Sequence, residues 1–149
     1  MTSMEEDFEV FVTDVRPQLT RALTGHLPRS EVGDAVAEAL AYAWEHRTRV
    51  LAMERPAGYL YRVAQSRARR RKQGLLPWST DDGLPHIEPG LPAALATLSP
   101  SQAEAVWLVH GAGMSQVEAA EAMDISPSTI ANHLQRGMAR LRDHLGAQA

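Results

Sequence analysis

The sequence predicts an all-α protein built from two small helical domains and a short linker. Three observations carry that expectation. Alanine, leucine, glutamate and arginine dominate, while aromatic residues make up 5% of the chain and β-branched residues are sparse, so helices are easier to build than a sheet. Apolar residues recur at three- and four-residue steps in several segments. Between them lies 74–90, GLLPWSTDDGLPHIEPG, where Gly74, Pro77, Gly83, Pro85, Pro89 and Gly90 leave no helical or strand period intact. The expected division is a helical domain over 1–73, a linker over 74–90 and a second helical domain over 91–149.

Phe8, Phe11, Val12, Val15, Leu19 and Leu23 form the stripe of an amphipathic helix, interrupted by Pro17. Either that helix kinks or a second one starts there with proline in its first turn. Val32, Val36, Ala39, Leu40 and Ala43 mark the next helix, with Ser30 as the expected N-cap and an end near Arg49. A third starts at Pro56 and runs through Tyr59, Leu60, Val63 and Ala64 into QSRARRRKQ, with Gly74 as its stop. In the second half SPSQ at Ser99 and SQVE at Ser115 fit the capping box, in which a serine and a residue three places on satisfy each other's amides. SPST at Ser126 has the cap and the proline but only Thr129 as the third partner. These starts predict three short helices. Their buried faces would be Ala105, Val106 and Val109; Ala119, Ala120 and Met123; and Ile130, Leu134, Met138, Leu141 and Leu145.

The absence of cysteine excludes disulfides and thiolate metal sites. No apolar run approaches a membrane span and the acidic start MTSMEEDFEV is unlike a signal peptide, so a soluble cytosolic protein is expected. The formal charge of -3 conceals a segregation. Residues 1–45 hold nine acids and three bases, 46–73 one acid and nine bases, and 74–149 eight acids and three bases. A localised basic block is how an electrostatic footprint for phosphate sits on an acidic protein.

The last two expected helices are separated only by MDIS, which forces their axes to cross steeply, as in a helix-turn-helix. Ala120 is small where the helices approach, Met123 and Ile125 flank the turn, and Asp124 stands where the left-handed conformation often selects glycine. A helical hairpin without a DNA role is the competing reading of this segment. With the third helix in a major groove, Ser128, Ala131, Asn132 and Gln135 face outward and Arg136 lies toward the edge. Asn132 and Gln135 can pair bidentately with adenine, and Ser128 with a base or a phosphate. The helix from Pro56 supplies the cations the reader lacks: Arg62, Arg67, Arg69, Arg70, Arg71 and Lys72, with Tyr59 and Tyr61 near its start. Cations interleaved with aromatics suit an unpaired strand, the arginines holding its backbone and the rings its bases.

GDAVAEALAYAWEHR, PAGYLYRVAQSRARRR and LSPSQAEAVWLVHGAGMSQVEAAEAMDISPSTIANHLQRGMARLR together resemble, over nearly the whole chain, the bacterial extracytoplasmic-function sigma factors of the sigma-70 family. The resemblance implies a sigma factor that directs core RNA polymerase to specific promoters, with no catalysis of its own and no cofactor or metal. It implies that Asp34 and Glu38 contact the clamp helices of the polymerase β′ subunit. By the same resemblance Tyr59, Tyr61 and Arg62, with Arg67, Arg69, Arg70, Arg71 and Lys72, serve the -10 element. Ser126, Ser128, Ala131, Asn132, Gln135 and Arg136 serve the -35 element. Promoter DNA, the polymerase core and an anti-sigma factor are the implied partners, in the cytoplasm and on the nucleoid when polymerase is bound. Ala37 stands where the family usually has glutamine, Ser66 and Arg70 replace a common asparagine and aspartate, and Ala131 replaces a frequent basic residue.

Two other readings keep the helix-turn-helix: a stand-alone regulator that dimerises on paired half-sites, and a sigma relative that has lost initiation. An enzyme finds little support. His26, His46, His86, His110, His133 and His144 are scattered, with no His-Glu-x-x-His pair and no glycine-rich phosphate loop. Trp78, apolar within the linker, is expected to dock the two domains in the free protein and mask their DNA-binding surfaces.

Overall fold

A computed structural model describes residues 2–71 and 91–147. The side chains of Thr2, Arg69, Arg70, Arg71, Pro92 and Ala147 lie outside that description. So do Lys72, the expected linker 74–90, Trp78 and His86. Among the described residues there are eight α-helices and no strand.

Helix α1 spans Thr2–Thr24 without a break. Pro17 lies inside it, so neither a second helix nor a fresh start occurs there, and the carbonyl four residues earlier goes without its intrahelical donor. Val15, Leu19, Ala22 and Leu23 form its buried stripe. Helix α2, Arg29–Glu45, buries Val32, Ala35, Val36, Ala39, Leu40 and Ala43 at helical spacing. Its N-cap is Pro28 and not Ser30, and no side chain caps it; Ser30 is already the second residue of the helix, two positions past the cap. The helix ends at Glu45, short of Arg49, because His46 leaves helical geometry at φ -113° and a one-turn helix α3, Arg47–Leu51, follows.

Helix α4 spans Pro56–Arg71. Its buried positions are Ala57, Gly58, Leu60, Tyr61, Ala64 and Gln65, a wider set than one amphipathic stripe. The extra width exists because α4 is covered on two sides, by α1 and α2 of its own half and by α7 of the other. For that reason Tyr61 and not Tyr59 is the fully buried tyrosine.

The C-terminal half opens with a helix that the sequence reading missed, α5, Leu91–Ala96. Helix α6, Pro100–Val106, starts at the Ser99–Gln102 capping box with both reciprocal bonds present. It runs into a π-turn over Trp107–Gly111, closed by the Ala112 amide on the Trp107 carbonyl at 2.9 Å. Helix α7, Gln116–Met123, starts at a second complete capping box, Ser115–Glu118. Helix α8, Pro127–Ala147, is 21 residues long and therefore not the short helix expected. Ser126 accepts from the Thr129 amide at 3.2 Å, and the two hydroxyls bond at 2.8 Å in place of a capping-box return.

Between α7 and α8, Asp124 adopts the left-handed conformation at φ 55°, ψ 47°. The Asp124 amide bonds the Glu121 carbonyl at 3.2 Å and the Ile125 amide bonds the Ala120 carbonyl at 3.0 Å. This pair of bonds is a Schellman motif, which ends α7 sharply and turns the chain into α8. Ile130, Leu134 and Leu141 are buried beneath α8, Met138 is partly buried, and Leu145 is exposed, so the stripe ends before the helix does. No described helix is long and apolar enough to cross a membrane.

Candidate nucleic-acid interface

Helix α8 presents Ser128, Ala131, Asn132, Gln135 and Arg136 to solvent, opposite its buried stripe, and Ser126 at its cap is exposed too. Two features set this direction. The αL turn at Asp124 fixes the angle at which α8 leaves α7, and Gly137 lets α8 lie close on α6. A Cβ at Gly137 would come within 2.8 Å of the Val106 side chain. The outward residues therefore sit on a rigid helix at the exposed edge of the C-terminal half, the arrangement a major-groove reader needs.

Asp34 is exposed on α2 and Glu38 is partly buried, one turn apart on the side away from Ala35, Ala39 and Ala43. Ala37 lies exposed beside them.

The residues expected along α4 separate into two groups. Tyr61 is buried on the side of α4 that faces the C-terminal half, and Arg62, still partly exposed, pairs with residues of that half. The Tyr61 hydroxyl donates to the Glu104 carboxylate at 2.7 Å, and the Gln65 amide donates to both, at 3.0 and 3.1 Å. His26 approaches the same carboxylate oxygen at 3.5 Å. Arg62 pairs with Glu121 at 3.1 Å and reaches Asp124 at 3.8 Å. The Trp107 indole, presented by the π-turn, donates to the Arg21 carbonyl at the end of α1 at 2.8 Å. Gly58 completes the seam: a Cβ there would lie 2.6 Å from the Glu118 carbonyl and 3.2 Å from the Ala122 amide. Only glycine permits that approach of the α4 and α7 backbones. A cleft of about 320 Å³ opens along the seam, lined by Arg62, Gln65, Ser66, Glu104 and Asp124 among others.

Tyr59 and Arg67 take the other side of α4 and join residues that sequence reasoning missed. The Tyr42 and Tyr59 hydroxyls bond at 2.6 Å, and one nitrogen of Arg49 donates to both, at 2.6 and 2.5 Å. Arg49 lies 5.3 Å above the Tyr59 ring and Arg67 5.4 Å from the Tyr42 ring centre. His46 stacks on Tyr42 at 4.1 Å. The Tyr59 phenol is pushed above its ordinary range, first by the hydrogen bond with Tyr42 and then by burial, with Arg49 pulling the other way. The signal for this group was present as Tyr42 and Arg49 in the basic block's flank, but nothing in the spacing joins α2, α3 and α4. The side chains of Arg69, Arg70 and Arg71, and all of Lys72, fall outside the described residues.

An exposed polar reader on the second helix of a tight helix-turn-helix has a counterpart among known families: residues 90–141 match the model for sigma-70, region 4. Over those residues the chain is thus similar to region 4 of the sigma-70 family. The fold over both halves has counterparts among solved structures. It superimposes on the sigma factor RpoE from Bartonella quintana, solved in complex with the anti-sigma factor NepR, with a TM-score of 0.71 and 22% identity. That alignment covers 97% of this chain and 99% of RpoE. It also superimposes on CnrH, solved with the cytosolic domain of CnrY, with a TM-score of 0.62 and 23% identity over 95% of this chain and 89% of CnrH. Comparison with curated protein sequences gave no match. The comparisons thus give the helical fold over nearly the whole chain and, for residues 90–141, a similarity to sigma-70 region 4.

Proposed function

We propose that the chain is a sigma factor of the sigma-70 family, of the extracytoplasmic-function type, that binds core RNA polymerase through the α2 face carrying Asp34 and Glu38 and places its two halves on the two promoter elements. The outer side of α4 holds the -10 strand, and Ser126, Ser128, Ala131, Asn132, Gln135 and Arg136 of the α8 start read the -35 element. The chain catalyses nothing; polymerase performs the chemistry. The observation that carries the reading is the exposed Asn132–Gln135 edge on a helix within the stretch similar to sigma-70 region 4. Asparagine and glutamine offer the donor and acceptor pair that adenine's major-groove edge requires.

The seam supports a second element of the proposal. Tyr61 and Arg62 bond Glu104 and Glu121 in the packed arrangement, which leaves the outer side of α4 to the -10 strand; parting the halves releases Tyr61 and Arg62 to join it. The two similar structures are both complexes, RpoE with the anti-sigma factor NepR and CnrH with the cytosolic domain of CnrY. An anti-sigma factor that clamps the closed form is accordingly the proposed regulator here.

The test is a titration of labelled protein against core RNA polymerase, alongside Asp34→Arg combined with Glu38→Arg. Saturable binding that the charge-reversed variant loses is the expected result. No binding to a core from the same organism refutes the reading and leaves a stand-alone regulator.

A further inference from the structure

Tyr59 and Tyr61, beside the cations of α4, suggest in the sequence rings for unstacked bases. Their surroundings argue otherwise. Tyr61 is buried with no exposed surface. Tyr59 has Arg49 over its ring, and Tyr42 has Arg67 on its ring and His46 stacked on it. The rings that remain near the surface are thus already covered by the protein's own cations.

Those cations are themselves distinctive. Arg55 and Arg62 make ion pairs with carboxylates, whereas among the described residues Arg47, Arg49 and Arg67 make none. Arg47 is held by the Trp44 carbonyl at 2.8 Å and lies 4.2 Å from the Trp44 ring centre. Arg49 uses a single nitrogen for both tyrosine hydroxyls. Its guanidinium carries five N–H donors in a planar fork, so the remaining donors are left on a group whose position two phenols and a ring face have fixed. A pre-positioned guanidinium without a carboxylate partner is suited to an oxyanion that takes two parallel hydrogen bonds.

We propose that Arg49 grips a phosphate of the single DNA strand at the -10 element, with Tyr42 as the positioning residue that holds it. This platform takes backbone and not bases, and it lies on α2 and α3 as well as on α4. The proposal rests on the sigma-factor reading above. It differs from that reading in naming a residue outside α4 and in assigning it a contact that carries no sequence information.

The experiment measures binding of the full chain with core polymerase to two fluorescent single-stranded oligonucleotides, one with a -10-like sequence and one with its bases scrambled, over a range of salt. Each phosphate contact on a single strand adds about 0.7 to the slope of log affinity against log salt. Arg49→Gln is expected to weaken both oligonucleotides by a similar factor, roughly tenfold, and to lower the salt slope by about 0.7. Arg49→Lys keeps the charge without the fork and should restore the slope but only part of the affinity. Tyr42→Phe, which keeps the ring, should give a smaller loss of the same kind. Unchanged affinity and slope for Arg49→Gln overturn the platform while the sigma-factor reading stands. A loss confined to the -10-like sequence, or a loss in Tyr59→Leu with the slope intact, shows base stacking and overturns it too. If the wild-type complex holds neither strand, the sigma-factor reading fails and the platform with it.

Discussion

Gly58→Ala should loosen the two halves while strengthening the helix that carries the change. Alanine is better than glycine inside a helix by about 1 kcal/mol, so α4 by itself gains. The new Cβ would sit 2.6 Å from the Glu118 carbonyl, and that neighbour is backbone, held by the Ser115–Glu118 capping box at the start of α7. Overpacking of this kind costs about 1–3 kcal/mol. At 1.4 kcal/mol per factor of ten, the closed form falls by roughly fivefold to more than a hundredfold relative to the open one. The chain has no cysteine, which makes the assay direct: Glu5→Cys on α1 and Asp143→Cys on α8 accept a donor and acceptor dye. Both positions are exposed. Single-molecule energy transfer in the free protein then counts closed and open molecules. The expected outcome is a new low-transfer population in Gly58→Ala, larger in Gly58→Leu, at unchanged helix content. A transfer distribution identical to wild type in both variants would refute the claim that close backbone approach at Gly58 holds the seam.

Other consequences are equally open to measurement. Asn132→Ala should cost about 1–3 kcal/mol on a -35 duplex and relax preference at one base pair only; equal weakening on all sequences would mark Asn132 as a phosphate contact. Ser115→Ala should lower stability by about 0.5–2 kcal/mol in chemical denaturation, because the Glu118 amide loses its acceptor, and an unchanged midpoint would show that α7 relies on packing alone. The raised Tyr59 pKa means that folding favours the neutral phenol. Its stabilising contribution is complete below the unfolded value of about 10 and is lost as pH climbs through the folded value. In a 295 nm titration the component lost in Tyr59→Phe should therefore appear late, move earlier in Tyr42→Phe and later still in Arg49→Gln; a component at or below 10 in the native protein contradicts the hydroxyl pairing.

How far the sequence foretold this arrangement depended on how local each cause was. The capping boxes at Ser99 and Ser115 and the left-handed Asp124 involve partners within a few residues, and each was read from spacing alone. Pro17 left two readings open because an interior proline is tolerated or not according to what packs on the helix, and here Val15, Leu19 and Leu23 on a long buried face keep α1 whole. Ser30 has the side chain a cap prefers, yet α2 starts one residue before it, behind Pro28, without any side-chain cap bond. The four-residue pattern along α4 could not distinguish Tyr59 from Tyr61, since Glu104 and Glu118 stand more than forty positions away in the chain. The outward edge of α8 was legible because Ile130, Leu134 and Leu141 define its opposite face. The Tyr42–Arg49–Tyr59 group was not, because three separate helices contribute to it.

Helix α4 has little surface free of obligation. Gly58, Tyr61 and Gln65 answer to the other half of the molecule, while Tyr59 and Arg67 pack with Tyr42 and Arg49 on the opposite side. Because the two sets alternate every few residues, an insertion or deletion of a single residue along α4 turns all that follows by about 100° and takes both sets out of register together.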